Sequence, residues 1–324
     1  MGDVIRLDAV EKSFVVRAKT GRLRRERRVV RAVDGITFAI ERGTIVGYLG
    51  PNGAGKSTTV KMLTGILVPS GGRVRVAELD PARQRIELAR RIGVVFGQRS
   101  QLWWDLPLGD SFDLLRYIYR VPAERHRANL ERFTELLGLA AFVGTPVRQL
   151  SLGQRMRGEL TAALLHDPEV VFLDEPTIGL DIVAKAAVRE FLSEVNRERG
   201  VTVLLTTHDL ADIERLCSRL LIVDHGHLIW DGGLDELKAR YGQERTLVVD
   251  LEEAAPPLEV PGARVTRVDG PRQWLSFRRD ETSAAELTAA VAARARLVDL
   301  AIEETHIEAI VSRIYATGAA RPEA

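Results

Sequence analysis

The sequence predicts an α/β protein in two parts: a mostly parallel sheet with crossover helices, followed by a smaller α+β domain. Three observations carry that expectation. From Asp34 to about Leu234, short β-branched apolar runs alternate with longer stretches of helical periodicity, the pattern of parallel strands joined by helices. A long insertion of helical periodicity, about residues 99–168, interrupts the alternation and predicts a helical subdomain. Beyond about Gly242 the composition shifts, with Pro256, Pro257 and Pro261 breaking the chain. The 324 residues exceed the ~100–200 typical of one domain. We therefore expect a first domain over residues 1–242 and a second over 243–324.

Between Arg17 and Arg31 stand eight basic residues, Arg17, Lys19, Arg22, Arg24, Arg25, Arg27, Arg28 and Arg31, against a single acid, Glu26. Two readings are open: a solvated loop or hairpin extension, or a contact with anionic lipid headgroups. No aromatic residue is interleaved with these arginines, which argues against a platform for single-stranded nucleic acid. Residues 44–49, 92–96, 170–173, 201–206 and 220–223 are nearly continuous in apolar side chains, as strands covered on both faces should be. Helical periodicity marks 111–119 and 123–137. In the second domain, 245–251, 263–268 and 274–277 read as strands, and Ser283/Glu286 and Thr305/His306/Glu308 as two capping boxes that open helices. His306 reads as structural.

Composition narrows the class. Hydrophobic residues at 45% and charged residues at 28% suit a globular chain with a large core. Cys217 is the only cysteine, so no internal disulfide forms, and a reducing, cytosolic compartment is expected. No run approaches 18 apolar residues, and the start, Met1 to Arg6, has no apolar signal core. The formal net charge of +1 gives no global field toward nucleic acid.

Two motifs carry chemistry. Gly50-Pro51-Asn52-Gly53-Ala54-Gly55-Lys56-Ser57 fits G-x-x-x-x-G-K-[ST], directly after an apolar run and before a helix-compatible segment starting at Thr58. Glycines at 50, 53 and 55 let successive backbone N–H groups curl around phosphate oxygens. Lys56 supplies charge to the β/γ-phosphates, and Ser57 can ligate Mg²⁺. The second motif is Val170-Val171-Phe172-Leu173-Asp174-Glu175, a buried strand ending in two acids. Asp174 is expected to hold Mg²⁺ through water, and Glu175 to act as general base on the attacking water. Together they predict a P-loop NTPase core that binds and hydrolyses a nucleotide.

Further residues give a resemblance. Gln98, the run Leu150-Ser151-Leu152-Gly153-Gln154, Asp181 within Pro176-Thr177-Ile178-Gly179-Leu180-Asp181, and His208 in Thr206-Thr207-His208-Asp209 appear in the order found in ABC-transporter ATPases. The likeness spans about Phe14 to Gly233. The segment Val95-Phe96-Gly97-Gln98-Arg99-Ser100-Gln101-Leu102-Trp103-Trp104-Asp105-Leu106-Pro107 resembles the ATP-binding subunits of ABC-2-type transporters, in the branch that includes viologen-exporter-like systems. The resemblance implies a head-to-tail homodimer with two ATP molecules between the phosphate loop of one copy and the Ser151, Gly153 and Gln154 segment of the other. It implies that Gln98 touches metal or water, that His208 donates to the γ-phosphate, that Asp181 belongs to the nucleotide site, and that a Phe near position 14 stacks on adenine. Phe14 as strand core is the competing reading. Ser151 and Gln154 form a further capping box, so this segment opens a helix. Position 152 is Leu where most of the family has Gly, which removes easy access to positive φ.

The implied partner is a separately encoded transmembrane permease, with the chain peripheral on the cytoplasmic membrane face and no nucleic acid expected. Trp103 and Trp104 read either as anchors for a short helix of that permease or as ordinary packing of the helical subdomain. The rival function is a soluble ABC-type ATPase acting on a nucleoprotein complex. The single phosphate loop and the lack of a long coiled coil disfavour it.

Overall fold

The computed structural model describes residues 2–19, 25–97, 100–207, 209–242, 244–278, 280–304 and 307–317. The chain divides into two compact units, Met1–Gly232 and Gly233–Ala324.

The first unit opens with an antiparallel sheet. Strand β1 (Asp3–Lys19) and strand β2 (Arg25–Glu41) form a long hairpin. Strand β3 (Ile45–Leu49) leads to helix α1 (Lys56–Leu63), and β4 (Gly71–Val76) returns to pair with β1, giving the order β2-β1-β4. This sheet was not foreseen as a unit. Bulges near Ala9, at φ 44°, break the period-2 pattern by which Val4, Ile5, Leu7 and Val10 reach the core. Helix α2 (Arg85–Ala89) precedes β5 (Ile92–Phe96). Helices α3 (Leu108–Tyr119), α4 (Ala123–Leu137) and α5 (Leu152–Leu164) fill the helical insertion. The crossover pattern resumes with β6 (Val170–Asp174), α6 (Ile182–Arg199), β7 (Thr202–Thr206), α7 (Leu210–Leu216), β8 (Arg219–Asp224) and β9 (His227–Gly233).

The main sheet has the order β5-β6-β7-β3-β8-β9, with β5, β6, β7, β3 and β8 parallel. Strands β3 and β7 are buried at every residue, as strands covered on both faces must be. Between β8 and β9 the chain turns on His225 and Gly226, both at positive φ as a two-residue hairpin of the right twist requires. Phe133 of α4 meets Phe191 of α6 edge to face at 5.4 Å, joining the helical insertion to a crossover helix.

The second unit consists of α8 (Leu234–Tyr241), β10 (Glu244–Leu251), β11 (Ala263–Asp269), β12 (Arg272–Arg278), α9 (Ala284–Ala292), β13 (Leu297–Glu304) and α10 (Ile307–Thr317). Its sheet runs β11-β12-β10-β13, all antiparallel, and Leu247, Val249, Leu275, Phe277, Leu287 and Val291 make its core. The division falls at Gly232/Gly233, ten residues before the expected position, because α8 packs on α10 within this unit. Ser283 and Glu286 form the capping box in both directions; Thr305 and His306 lie outside the described residues.

Candidate functional site

The parallel register lines up the C-terminal ends of three strands. Phe96 of β5 stands beside Asp174 of β6, which stands beside Thr206 of β7. Everything just past that row converges on one edge, where an open α/β sheet takes its ligand. Gln98 and His208 lie outside the described residues, while their neighbours Gly97 and Thr207 extend this row.

The phosphate loop leaves β3 on the same edge. Gly55 caps α1 at φ 103°, and a Cβ there would stand 2.4 Å from the Ala32 carbonyl oxygen, so only glycine fits. No side chain caps this helix end. Its first N–H groups therefore face outward as anion donors, reinforced by the helix dipole. Gly50 lies against β8, Gly53 takes φ 85°, and Asn52 and Ser57 are exposed, with Thr58 half-buried behind them. Lys56 is buried, and its ammonium donates to the carbonyls of Gly50 and Pro51, holding the loop in its curled form. Burial pulls the Lys56 pKa below its ordinary value, opposed by the negative charge of Glu175 and Asp174.

Opposite the loop stand the two acids. Ser57, Lys61, Phe96, Gly97, Asp174 and Glu175 line a cleft of ≈ 400 Å³. Asp174 accepts from the Thr206 hydroxyl, which fixes its carboxylate at the strand end. Glu175 has φ 56°, a left-handed conformation that costs a non-glycine residue on the order of 1 kcal/mol. Backbone bonds hold it there: Glu175 N–H donates to Thr206 O at 2.9 Å, and Gly97 N–H donates to Asp174 O at 2.9 Å. The strain turns Glu175 off the strand axis at the cleft. A Cβ on Gly97 would come within 2.9 Å of Asp174 O, so only glycine lets the chain pass this close to the acids at position 97. Its position between a strand end and Gln98 was the signal for it.

Ser151 caps α5, accepting from Gln154 N–H at 3.2 Å while Gln154 returns a bond to Ser151 N–H at 2.9 Å. Leu152 is helical rather than at positive φ, and its side chain lies over Gly179, where a Cβ would stand 2.7 Å away. Gly153 faces Ala184 and Leu180, tying the start of α5 to the start of α6. Asp181 caps α6 by accepting from Ala184 N–H at 2.8 Å. In this chain its carboxylate has a structural bond of its own. Phe14 is 36% exposed, so it is not a core residue; Lys12 stands 5.3 Å from its ring centroid. It pairs with Val30, two residues from the Ala32 that abuts Gly55.

Two buried carboxylates escaped the sequence reading. Asp212, fully buried, is ion-paired with Arg189 and accepts from the hydroxyls of Thr177 and Thr207. It thus joins the segment after Glu175 to the residue before His208. Glu159 of α5 accepts from Ser100 and from Gln101 N–H, and burial raises its pKa. A charged residue on a helical face otherwise apolar at Met156, Leu160 and Ala163 was the available signal. Beside it, Trp104, Phe96, Leu152, Arg155 and Met156 line a second cleft of ≈ 330 Å³.

Comparison with known proteins agrees with this geometry. The ABC transporter family profile matches residues 33–178. The ABC transporter ATP-binding protein NatA of Bacillus subtilis is 32% identical over 225 residues, 69% of this chain and 90% of that protein. The chain belongs to the ABC transporter ATP-binding protein family. The daunorubicin resistance ATP-binding protein DrrA3 of Streptomyces coeruleorubidus is 41% identical over 69% of this chain and 70% of its own length. Among solved structures, cbiO1 of Clostridium perfringens, part of the ABC transporter complex cbiONQ, superposes with a TM-score of 0.62 at 26% identity, covering 73% of this chain and 91% of that one. The ATP-binding cassette MJ0796, solved as a dimer in a post-hydrolysis state with ADP and Pi, gives 0.60 at 25% identity over 71% and 98%. As a member of this family, the chain is an ATPase with an α/β P-loop core. Among the described residues, no helix is long and apolar enough to cross a membrane.

Proposed function

We propose that the chain powers export by an ABC-2-type transporter, hydrolysing ATP as a head-to-tail pair on a separately encoded permease at the cytoplasmic membrane face. The observation that carries this is the cleft itself: Ser57 at an uncapped helix N-terminus on one wall, Asp174 and a strained Glu175 on the other, with the buried Lys56 in electrostatic reach of both acids. Lys56 and the N–H groups of residues 53–58 bind the phosphates. Glu175 takes a proton from the attacking water. Ser57 and Asp174, both hard oxygen donors lining this cleft, suit Mg²⁺ arriving with the nucleotide. That ion would neutralise charge on the β/γ-oxygens. From their sequence positions just after β5 and β7, Gln98 is assigned to the metal or the water and His208 to the γ-phosphate, and Phe14 to the adenine.

The start of α5 supports the pairing, since Ser151 is exposed and neither it, Gly153 nor Gln154 is among the residues lining the cleft of Asp174 and Glu175. The half-exposed Trp103 and Trp104 support a permease contact. Export rests on relatives named for drug resistance and Nod factor export. The narrower likeness to viologen-exporter-like systems rests on residues 95–107 alone.

Glu175→Gln tests the reading. Hydrolysis should fall by about 100-fold or more with ATP affinity kept, because the shape stays and the base is gone. With Mg²⁺ and ATP the variant should form a dimer in light scattering, and Ser151→Arg should abolish it. A variant that turns over at the normal rate removes Glu175 as base; a monomer at saturating ATP removes the self-sufficient pair.

A further inference from the structure

The outer half of the β1–β2 hairpin takes no part in the chemistry above. Strand β4 accompanies β1 only between Ile5 and Glu11, so beyond Ser13 the hairpin is a ribbon of two strands. Such ribbons are marginally stable alone. This one carries apolar residues on both faces: Val15 is 65% exposed and Val29, its cross-strand partner, 61%, with Val16 and Val30 also exposed. Farther out the register sets Arg17 opposite Arg27 and Lys19 opposite Arg25. Arg27 and Arg28 are exposed and have no acidic partner among the described residues, and Glu26 is the single acid between Arg17 and Arg31. The ribbon thus concentrates positive charge beside uncovered valines, a combination that folding of this chain alone does not reward.

We propose that this ribbon docks on an anionic lipid surface, its basic residues among the headgroup phosphates and its valines at the polar–apolar boundary. An anionic interface suits both features at once: it pairs with Arg27 and Arg28 and covers the apolar flanks. Nucleic acid supplies the phosphates but would leave the valines bare, and no aromatic residue between Val15 and Arg31 offers a base a stacking surface. The inference rests on the proposed role at a membrane transporter, which places such a surface within reach.

The test is cosedimentation of the full chain, without permease, with vesicles of mixed phosphatidylglycerol and phosphatidylcholine and with vesicles of phosphatidylcholine alone. Binding should require the anionic lipid and weaken steeply between about 50 and about 300 mM salt. The triple variant Arg25→Gln, Arg27→Gln, Arg28→Gln should lose about 100-fold in partitioning, roughly fivefold per charge. A control triple, Arg83→Gln, Arg85→Gln and Arg90→Gln, removes the same net charge from exposed sites elsewhere and should change partitioning less than about twofold. Surface charge removal should leave the melting temperature of the ribbon triple within about 4 °C of the parent, which separates lost docking from lost folding. Equal binding to neutral vesicles, equal losses in both triples, or tighter retention on DNA than on anionic vesicles at the same salt would each overturn the proposal. ATP turnover measured on the same samples reports separately on the catalytic reading, since vesicle binding can fail while hydrolysis persists.

Discussion

Backbone hydrogen bonds of Glu175 and Gly97 help to hold the cleft in shape, and at this scale the sequence was readable in part. The acid pair after an apolar run and the glycine-spaced lysine announced their chemistry by spacing, because phosphate loops and strand-end carboxylates are local constructions. What holds Asp212 and Glu159 was not legible. Their partners Arg189, Thr177 and Ser100 lie 23 to 59 residues away, and only the fold brings them together. His166 is a similar case and gives a measurable consequence. Its Nε2 faces Ile92 O at 2.9 Å, its ring stacks on Tyr119 at 4.0 Å, and its Nδ1 is buried with no hydrogen-bond partner among the described residues. Protonation would bury an unpaired N–H, so burial holds the pKa below its ordinary value. The unfolded chain takes up the proton near pH 6.5 and the folded chain resists it. Stability contributed by this residue is therefore complete above about pH 6.5 and is lost as pH falls below it, at up to about 1.4 kcal/mol per pH unit. Urea midpoints of His166→Gln should depend less on pH between about 7.5 and 5.5 than those of the parent; equal slopes would remove His166 as the cause.

At the scale of elements, strands covered on both faces were the most legible, since a continuous apolar run of five or six residues has few other uses. The antiparallel β2-β1-β4 sheet was not, because its bulges and charged outer positions blur the alternation. Helix α5 shows how a local signal and a tertiary one combine. The capping box fixed its first residue, while the packing of Leu152 over Gly179 shows why Leu is accommodated without positive φ. The segment between β5 and α3 is anchored by Leu102, which is buried, and by Trp103 N–H donating to the Ser111 hydroxyl at 3.2 Å. The indoles themselves remain 37% and 51% exposed, and Arg155 lies 5.7 Å from the Trp104 ring. Anchoring by the backbone and by Leu102 means that removing the indoles should cost little stability. Trp103→Ala with Trp104→Ala should shift the melting temperature by less than about 4 °C and keep ATP affinity, while weakening copurification with the permease by about tenfold or more. A large melting shift with unchanged assembly would return both residues to ordinary packing.

At the scale of the whole molecule the two units have separate cores and different sheets: the first has a mainly parallel sheet bordering the cleft beside the antiparallel β2-β1-β4 sheet, the second one antiparallel sheet packed with α9. Every strand bordering the cleft and every residue assigned to nucleotide precedes Gly233. Composition located the change at Gly242 through the prolines beyond it, but it could not show that α8 belongs to the second unit, since that membership is decided by packing on α10. The difference separates two truncations. A chain ending at Gly232 loses a complete unit and leaves the cleft intact, so its ATP affinity should stay within about threefold of the full chain, as expected when a boundary falls between cores. A chain ending at Gly242 keeps α8 without α10, baring Leu234 and Leu237, which are buried in the full chain. An isolated helix of eight residues is too short to persist in water. The chain ending at Gly242 should therefore be the more aggregation-prone of the two, measured by light scattering at equal concentration. If the chain ending at Gly232 is soluble yet fails to bind ATP, the second unit contributes to the nucleotide site. If the chain ending at Gly242 is instead the better behaved, α8 completes the first core and the boundary lies where the prolines placed it.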